Sequence, residues 1–311
     1  MNKNSKIIII GNSNIIFDTA YSYLKSNNYN NVKKLHISNS INYSFKKAKK
    51  LFESFYPEYI YLTGGITGGI NFNIQKPQEL MNNNLITEII TMQLAQKFKI
   101  KKLIYFGSSC MYPKEMSKNA KPNMLFHGLL ESSNLHYATS KLSGMVLCDA
   151  YNKQFKTNFF SLIPSNPFGP FDDFSDKNSH VIPGLINRIH KAKKNKKSKV
   201  IIWGSGKPIR DFIFAEEIIN ASIKIMKSKK KFDIINVSSR DIYSIKDLAM
   251  ILKDIIKFEG KIIFDRSKPD GTAFKSLNNS DLKNLGWKKK YLFRDSLLKT
   301  YKWYLKSKYN D

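Results

Sequence analysis

The sequence has little cysteine and no long apolar run. Its two cysteines, Cys110 and Cys148, show no CxxC or Cys/His spacing, which argues against a disulfide framework and against a metal site. The apolar run Ile7 to Ile10 is far shorter than the ~20 residues of a membrane helix, and no cleavage-site pattern follows it. We therefore expect no signal peptide, no membrane span and a cytoplasmic location.

Acidic residues are also scarce, since 24 Asp and Glu stand against 52 Lys and Arg and give a formal net charge of +28. Such a charge makes nucleic acid, phosphate or an acidic membrane physically plausible as a partner. The lysines, however, are spread along the chain among many Asn and Ile residues, which favours ordinary solvated lysines. Nucleic acid is therefore not the expected partner.

What is present is an alternating pattern. Over the first 165 residues, short β-branched runs alternate with longer amphipathic segments, as in βαβ units of a parallel sheet. The predicted strands are 6–10, 34–37, 59–63, 102–107 and 159–163, and the predicted helices are 15–26, 77–98 and 137–155. The chain is long enough to bury a substantial core.

After Pro164 the pattern becomes less regular, which indicates a second lobe. It contains a predicted helix at 180–194, a strand at 200–203 and a C-terminal helix at 292–305. Ser244, followed by Asp247, is typical of a helix N-cap. Strands at 212–214 and 234–238 flank a helix at 215–227, and we expect both to return to the main sheet.

The strongest local signal is the pair Tyr137 and Lys141, four residues apart on one face of a predicted helix. A lysine ammonium beside a phenol lowers the phenol pKa from ~10 toward neutrality. Alone, the pair is common in helices. Upstream, Ser108 and Cys110 follow an apolar strand, at the sheet edge where parallel sheets bind ligands.

Five segments together resemble the GDP-L-fucose synthases, a family of extended short-chain dehydrogenases/reductases, and the resemblance runs almost end to end. The segments are 107–114 (Gly-Ser-Ser-Cys-Met-Tyr-Pro-Lys), 178–183, 203–210, 268–272 and 285–287. The resemblance implies an α/β fold with a Rossmann-type doubly wound parallel sheet and a smaller interleaved C-terminal substrate lobe. Residues 1–165, with 212–240, would form the dinucleotide-binding domain, and 166–211 with 241–311 the substrate lobe.

The resemblance also implies catalytic roles. Tyr137 would donate a proton to the C4 oxygen during hydride transfer, Lys141 would lower its pKa and hold the nicotinamide ribose, and Ser108 would hydrogen-bond the ketone. Cys110 and His180 match the pair that moves protons at C3 and C5. Protons beside a C4 ketone are acidic because the enolate places charge on oxygen, so a thiol and an imidazole can remove and return them.

The remaining predicted site residues follow from the same resemblance. The cofactor-binding positions are Gly11, Asn14, Gly64, Gly65, Lys141, Pro164, Asn166 and His180. The substrate-binding positions are Arg188, Trp203, Arg210 and Asp270. The expected cofactor is NADP(H), with NAD(H) as the alternative, and the expected partner is a GDP-linked nucleotide sugar. A homodimer through the outer faces of helices 77–98 and 137–155 is also expected.

The cofactor fingerprint departs from the family pattern. Of the glycines in Gly-x-x-Gly-x-x-Gly only Gly11 remains, with Asn14 and Phe17 at the other two positions. We expect Asn14 to tolerate a positive φ and Phe17 to hold the following helix further from the sheet. Residues 36–40 offer no arginine for a 2′-phosphate. Gly64 and Gly65 replace alanines and should leave space beside the cofactor.

Three functions therefore stay open. The first is C3 and C5 epimerisation followed by NAD(P)H-dependent reduction at C4. The second is epimerisation without net redox, which needs no nicotinamide. The third is a catalytically silent Rossmann scaffold that binds nucleotide or nucleic acid. The joint presence of Ser108, Cys110, Tyr137, Lys141 and His180 argues against the third.

Overall fold

Parallel strands form the larger sheet in the computed structural model, which describes residues 1–116, 118–176, 179–268, 270–307 and 309. Its order is β2-β1-β3-β4-β5-β9. These strands are β1 (Ile7–Gly11), β2 (Val32–His36), β3 (Tyr59–Gly64), β4 (Lys102–Phe106), β5 (Phe159–Pro164) and β9 (Ile234–Val237). The predicted first five strands are confirmed within two residues at each end.

Helices cover both faces of this sheet, because alternate residues of a strand point to opposite sides. Ile7 and Ile9 pack into the core on the side of α1 (Ile15–Ser26) and α7 (Ala215–Lys227). Ile8 and Ile10 pack into the core on the other side. That second side carries α2 (Ile41–Phe55), α4 (Pro77–Lys97) and α5 (Leu135–Phe155), with the short α3 (Ile70–Gln75) preceding α4. The predicted doubly wound α/β fold is confirmed.

A smaller region is built on two further sheets. One contains β6 (Asn166–Phe168), β8 (Ile209–Phe214), β10 (Asp241–Ser244) and β12 (Phe274–Lys275), and the other pairs β7 (Lys199–Trp203) with β11 (Lys261–Asp265). Its helices are α6 (Val181–Lys194), α8 (Ile245–Ile256) and α10 (Phe293–Tyr304), whereas the short α9 (Ser280–Asn284) packs into the core of the main sheet through Leu282. Most of these elements share one apolar core.

One strand prediction is wrong. Residues 234–237 do join the main sheet as β9, but 212–214 belong to β8 in the smaller sheet, between β10 and β12. The reason lies in the two faces of β8. Phe212 and Phe214 pack with Phe168 of the smaller region, whereas Ile213 points into the core of the main sheet. The division of the chain into two domains stays a prediction.

The N-cap prediction is confirmed, because the Asp247 N–H donates to Ser244 Oγ over 3.0 Å at the start of α8. Among the helices of the described residues, none is long and apolar enough to cross a membrane.

Candidate active site

Four of the predicted catalytic residues lie together at the carboxyl end of β4. The chain leaves β4 and presents Ser108, whose Oγ accepts from the Cys110 N–H over 3.2 Å. The Tyr137 hydroxyl, from α5, forms a hydrogen bond with the Ser108 side chain. The Asn134 amide donates to the Cys110 sulfur over 3.3 Å. Hydroxyl, phenol and thiol groups thus share one half-buried surface.

The expected lowering of the Tyr137 pKa is not seen. Burial of the phenol raises its pKa, and the charge of Cys110 raises it further, while the hydrogen bond with Ser108 lowers it. Tyr137 is therefore protonated at neutral pH and is in the state required of a proton donor.

The Lys141 ammonium lies under this surface and is almost completely buried. Nζ donates to the Phe106 carbonyl over 3.1 Å and lies 4.9 Å from the centre of the Tyr105 ring. Burial lowers the pKa of Lys141, and the carboxyl of Glu88 opposes that effect. The neighbouring carboxyl thus favours the charged form of the buried lysine.

His180 precedes α6, and its side chain is about half exposed. Its Nδ1 lies 3.4 Å from a carboxylate oxygen of the buried Asp172. Burial lowers the pKa of His180, but the hydrogen bond and charge of Asp172 outweigh this and raise it overall. In the described part of the chain no hydrogen bond or ion pair joins His180 to Cys110 or Tyr137. Asn178, in the same sequence segment, lies outside the described residues.

The turn after β1 can accept a phosphate group in spite of its missing glycines. At Gly11, φ is +157° and a Cβ would meet the Thr63 hydroxyl at 2.3 Å, so no other residue fits. Asn14 caps α1 by accepting from two backbone N–H groups, and its φ of −155° is extended, so the expected positive φ is not needed. Its Nδ2 is buried without a partner among the described residues. An orphan donor at a helix N-terminus suits an anionic ligand.

Phe17 lies on α1 and is fully buried in the core, with its ring centre 4.6 Å from the ring centre of His36. The space that a glycine would leave between helix and sheet is therefore filled by an aromatic ring. That Phe17 holds α1 further from a bound pyrophosphate stays a prediction.

Asparagines on α4 connect the loops that follow β1, β2 and β3. Asn12 donates to Asn83 Oδ1 over 2.8 Å, and Asn83 in turn donates to Asn39. The Gly65 N–H donates to Asn84 over 3.0 Å. These asparagines were missed in the sequence. The feature that could have revealed them is a helix that buries polar residues where an amphipathic helix would bury apolar ones. In α4 the buried polar residues are Asn83, Asn84, Thr87, Glu88 and Thr91.

Pro164 lies at the end of β5, and Asn166 lies at the start of β6. Pro164 pairs with Val237 of β9, and the Asn166 amide donates to the Asp211 carbonyl over 2.8 Å. Asn166 and Ser109 both line a small cavity. The loop after β5 is therefore anchored beside the Ser108 segment, as a loop that contacts a cofactor must be.

The predicted substrate residues form two groups. Arg188 is exposed and donates to the Ile201 carbonyl, and Trp203 at the end of β7 is 64% exposed. Arg210 is half-buried and donates to backbone carbonyls of β8 and of Thr272. The charges of Cys110 and of Asp270 both act on Arg210, and a Cβ on Gly271 would lie 3.3 Å from its Nη2, so this guanidinium lies beside the Asp270 loop. Pro269 of that loop lies outside the described residues.

The fold and this site define a class of protein. A doubly wound parallel sheet with a serine after β4, and with tyrosine and lysine four residues apart on the next long helix, is the arrangement of a short-chain dehydrogenase/reductase.

Comparison with known proteins gives the particular family. The family model "NAD dependent epimerase/dehydratase family" matches residues 18–238. GDP-L-fucose synthase 1 of Arabidopsis thaliana is 33% identical over 306 residues, which cover 98% of this chain and 94% of that protein. The chain belongs to the NAD dependent epimerase/dehydratase family and, within it, to the GDP-L-fucose synthase type, as predicted.

Solved structures agree. A GDP-6-OMe-4-keto-L-xylo-heptose reductase from C. jejuni superposes with a TM-score of 0.88 at 28% identity, over 98% of this chain and 99% of that one. The GDP-mannoheptose C4 reductase MlghC from Campylobacter jejuni, solved with NADP bound, gives a TM-score of 0.85 at 27% identity, with coverage of 98% and 99%.

Proposed function

We propose that the protein epimerises a GDP-linked 4-keto-6-deoxy sugar at C3 and C5 and then reduces it at C4 with NADPH. The observation that carries this proposal is the cluster of Ser108, Tyr137 and Cys110 at the carboxyl end of β4. It combines two hydroxyl donors for a ketone oxygen with a thiol beside them. A relative named GDP-L-fucose synthase, similar over almost the whole chain, supports this choice of substrate.

In the epimerisation, Ser108 and Tyr137 hold the C4 oxygen and stabilise the enolate that forms when a neighbouring proton leaves. Cys110 is placed to exchange protons on one face. Inversion needs a second group on the opposite face, and His180, whose imidazole is oriented by Asp172, is the group we assign to it.

In the reduction, a bound NADPH supplies the hydride. Tyr137 gives its proton to the C4 oxygen, and the Lys141 ammonium stabilises the phenolate left behind. The residues that would hold the cofactor are Gly11, where Thr63 and Gly64 leave no room for a side chain, and Asn14, whose Nδ2 is buried without a partner among the described residues. A structural neighbour solved with NADP bound supports the choice of cofactor.

The GDP moiety is assigned to the smaller region. The charge of Cys110 acts on Arg210, and a guanidinium on that side of the site suits a diphosphate. Arg188 and the exposed ring of Trp203 lie on the β7 side and can cover a nucleotide base.

C4 reduction alone is a second candidate. The observation that favours it is the position of His180, which is tied to Asp172 and has no hydrogen bond or ion pair to the Cys110 cluster among the described residues. The two solved structures named above are both called reductases, and one of them is called a C4 reductase.

We also assign a homodimer and a cytoplasmic location. Ile89 on α4 and Val146 on α5 are 53% and 48% exposed, and Leu135 is also exposed on α5, so the outer faces of both long helices present apolar side chains suited to burial against a second copy. A thiol that must stay reduced to move protons, Cys110, fits a reducing compartment. Sedimentation of the wild type and of Val146→Glu tests the dimer.

The function is tested by incubating the protein with GDP-4-keto-6-deoxy-mannose in deuterated water, with and without NADPH. NMR follows deuterium at C3 and C5, and mass spectrometry follows reduction. We expect exchange without NADPH and reduction with it. Cys110→Ser and His180→Asn should lose exchange by ~10²–10⁴-fold and retain reduction of a pre-epimerised ketone.

Each other outcome selects another function. Reduction without exchange selects the C4 reductase, and exchange with no reduction selects the epimerase without net redox. If neither occurs and the protein binds random oligonucleotide with a steep salt dependence, the silent scaffold is selected.

A further inference from the structure

A buried carboxyl group that the mechanism above does not use lies beneath the active site. Glu88, on α4, has no exposed surface. One of its oxygens, Oε1, accepts from the Tyr105 hydroxyl over 2.7 Å, and the other, Oε2, is buried without a partner among the described residues. A buried carboxyl group is costly unless it is neutral or paired with a charge, so its presence needs a reason.

The fold makes room for this group. A Cβ at Gly144 of α5 would lie 2.7 Å from the Glu88 carboxyl carbon and 2.6 Å from the Tyr105 hydroxyl. Gly144 therefore leaves the space that the carboxyl and the phenol share. Gly144 is three residues from Lys141, so the same stretch of α5 borders the carboxyl and carries the catalytic ammonium.

Tyr105 connects Glu88 to Lys141. The Lys141 ammonium lies 4.9 Å from the ring centre, and the Tyr105 hydroxyl lies 3.2 Å from the Lys141 carbonyl as well as 2.7 Å from Glu88. A hydroxyl has one proton. When the Tyr105 hydroxyl donates to an ionised Glu88, it makes no hydrogen bond to the Lys141 carbonyl. When it donates to that carbonyl instead, Glu88 must be protonated and donate to the Tyr105 oxygen.

We propose that Glu88 is a positioning residue for the proton step of the proposed reduction: its ionised carboxyl keeps the Lys141 ammonium charged while Tyr137 gives up its proton. The inference rests on the proposed function. Burial raises the pKa of Glu88 to about 7, and the charge of Lys141 and the bond from Tyr105 lower it. The carboxyl therefore changes its charge in the physiological range.

The groups that face Glu88 come from two elements. Tyr105 projects from β4, and Lys141, Cys148 and Tyr137 project from α5. Of these, Lys141 is the cation. An ionised Glu88 also repels the Tyr137 phenolate directly. It nevertheless favours the charged form of Lys141, which lies four residues from Tyr137 on the same helix.

The pH dependence of kcat for reduction is the first test, with the wild type, Glu88→Gln, Glu88→Asp and Tyr105→Phe compared from pH 5.5 to 9. We expect Glu88→Gln to match the wild type at pH 6, where the wild-type carboxyl is protonated, and to fall on the order of tenfold below it at pH 8, because the glutamine no longer raises the pKa of Lys141. Glu88→Asp should restore part of the difference. Tyr105→Phe should move the inflection of the pH profile to higher pH, because the Glu88 carboxylate loses a hydrogen-bond donor. An equal loss at every pH in Glu88→Gln, with an unmoved inflection in Tyr105→Phe, would show a merely structural role.

A second measurement needs no substrate. In protein with ¹³C-labelled glutamate side chains, NMR should show one carboxyl titrating near neutrality that is absent from Glu88→Gln and titrates higher in Lys141→Met. A Glu88 signal that titrates below pH 5, or that ignores Lys141→Met, overturns the proposal even if the enzyme is active. If no 4-keto sugar is reduced but the coupled titration is present, the proposed function fails and the Glu88–Lys141 coupling stands.

Discussion

The Lys141 ammonium occupies the space that a side chain at Gly64 would need. A Cβ on Gly64 would lie 2.1 Å from Lys141 Nζ and 3.3 Å from Asn84 Oδ1, and φ of Gly64 is +91°. The sequence led us to expect that Gly64 leaves space beside the cofactor, and this is wrong, because the space is filled. Gly65 is similar, since a Cβ there would meet Asn83 Oδ1 at 2.3 Å.

We therefore expect Gly64→Ala to displace Lys141 and to lower the free energy of unfolding by about 2 kcal/mol or more, from backbone strain and the contact together. Urea unfolding measures this. In a Lys141→Ala background the contact is absent, so Gly64→Ala should cost only the strain. Equal costs in both backgrounds would show that the two residues do not interact.

The strands and long helices of the main sheet could be predicted, because their apolar periodicity is strong. Helix α2, with its many lysines, and the placement of β8 could not. The two faces of β8 pack into different cores, which a run of three apolar residues does not reveal. Among the site residues, Ser108, Cys110, Tyr137 and Lys141 came from motifs. Glu88 and the asparagines of α4 did not, because their significance depends on which face of α4 meets the sheet.

Tyr137→Phe should abolish reduction and leave the dissociation constant for NADPH nearly unchanged, because only the hydroxyl that supplies the C4 proton is lost. The expected loss of kcat is ~10²–10⁴-fold, measured by absorbance of NADPH. Lys141→Met should cause a similar loss, since the phenolate left after proton transfer loses the ammonium that stabilises it. A Tyr137→Phe variant that reduces at the wild-type rate would remove this residue from the mechanism.

Asp172→Asn should lower the pKa of His180. The Asp172 carboxylate raises that pKa by its hydrogen bond and its charge, against the effect of burial. The chain has 5 histidines, so ring signals in proton NMR can be assigned with His180→Asn. Asp173→Asn is the matched control and should cause a smaller shift, because Asp173 acts through charge alone. A larger shift in the control would show that Asp172 does not orient the ring.

Asp211 should make the protein less stable as the pH rises. Burial raises its pKa from 3.8 to about 6, although bonds from the Leu277 N–H and the Ser238 hydroxyl lower it. Because the folded state holds this proton more tightly than the unfolded state, its contribution to the free energy of unfolding falls by about 3 kcal/mol between about pH 4 and pH 6 and is constant above. Urea unfolding of Asp211→Asn should lack this fall, whereas parallel curves for both proteins would contradict the assignment.

The last prediction concerns the choice between NADPH and NADH. Lys34, on β2, is a lysine that could replace the missing arginine, but its ammonium lies 2.6 Å from the Asp18 carboxylate and 4.9 Å from the centre of the Phe17 ring. Asp18 thus neutralises the cation that a 2′-phosphate would need, and places a negative charge near it. We expect the native protein to bind NADPH and NADH with similar affinity, since general attraction to the net charge is screened by salt.

Asp18→Asn frees Lys34 and removes the repulsion, so it should strengthen NADPH binding several-fold, about 1 kcal/mol, with little change for NADH. Calorimetry with both cofactors measures this. Glu53→Gln is the matched control, because it makes the same change in net charge at an exposed pair with Lys49 on α2 and should not alter the selectivity. A native protein that already binds NADPH tightly and selectively would show that another group holds the phosphate. His36, exposed at the end of β2 beside Phe17, would then be the next residue to replace, because its ring faces the same side of the sheet as α1.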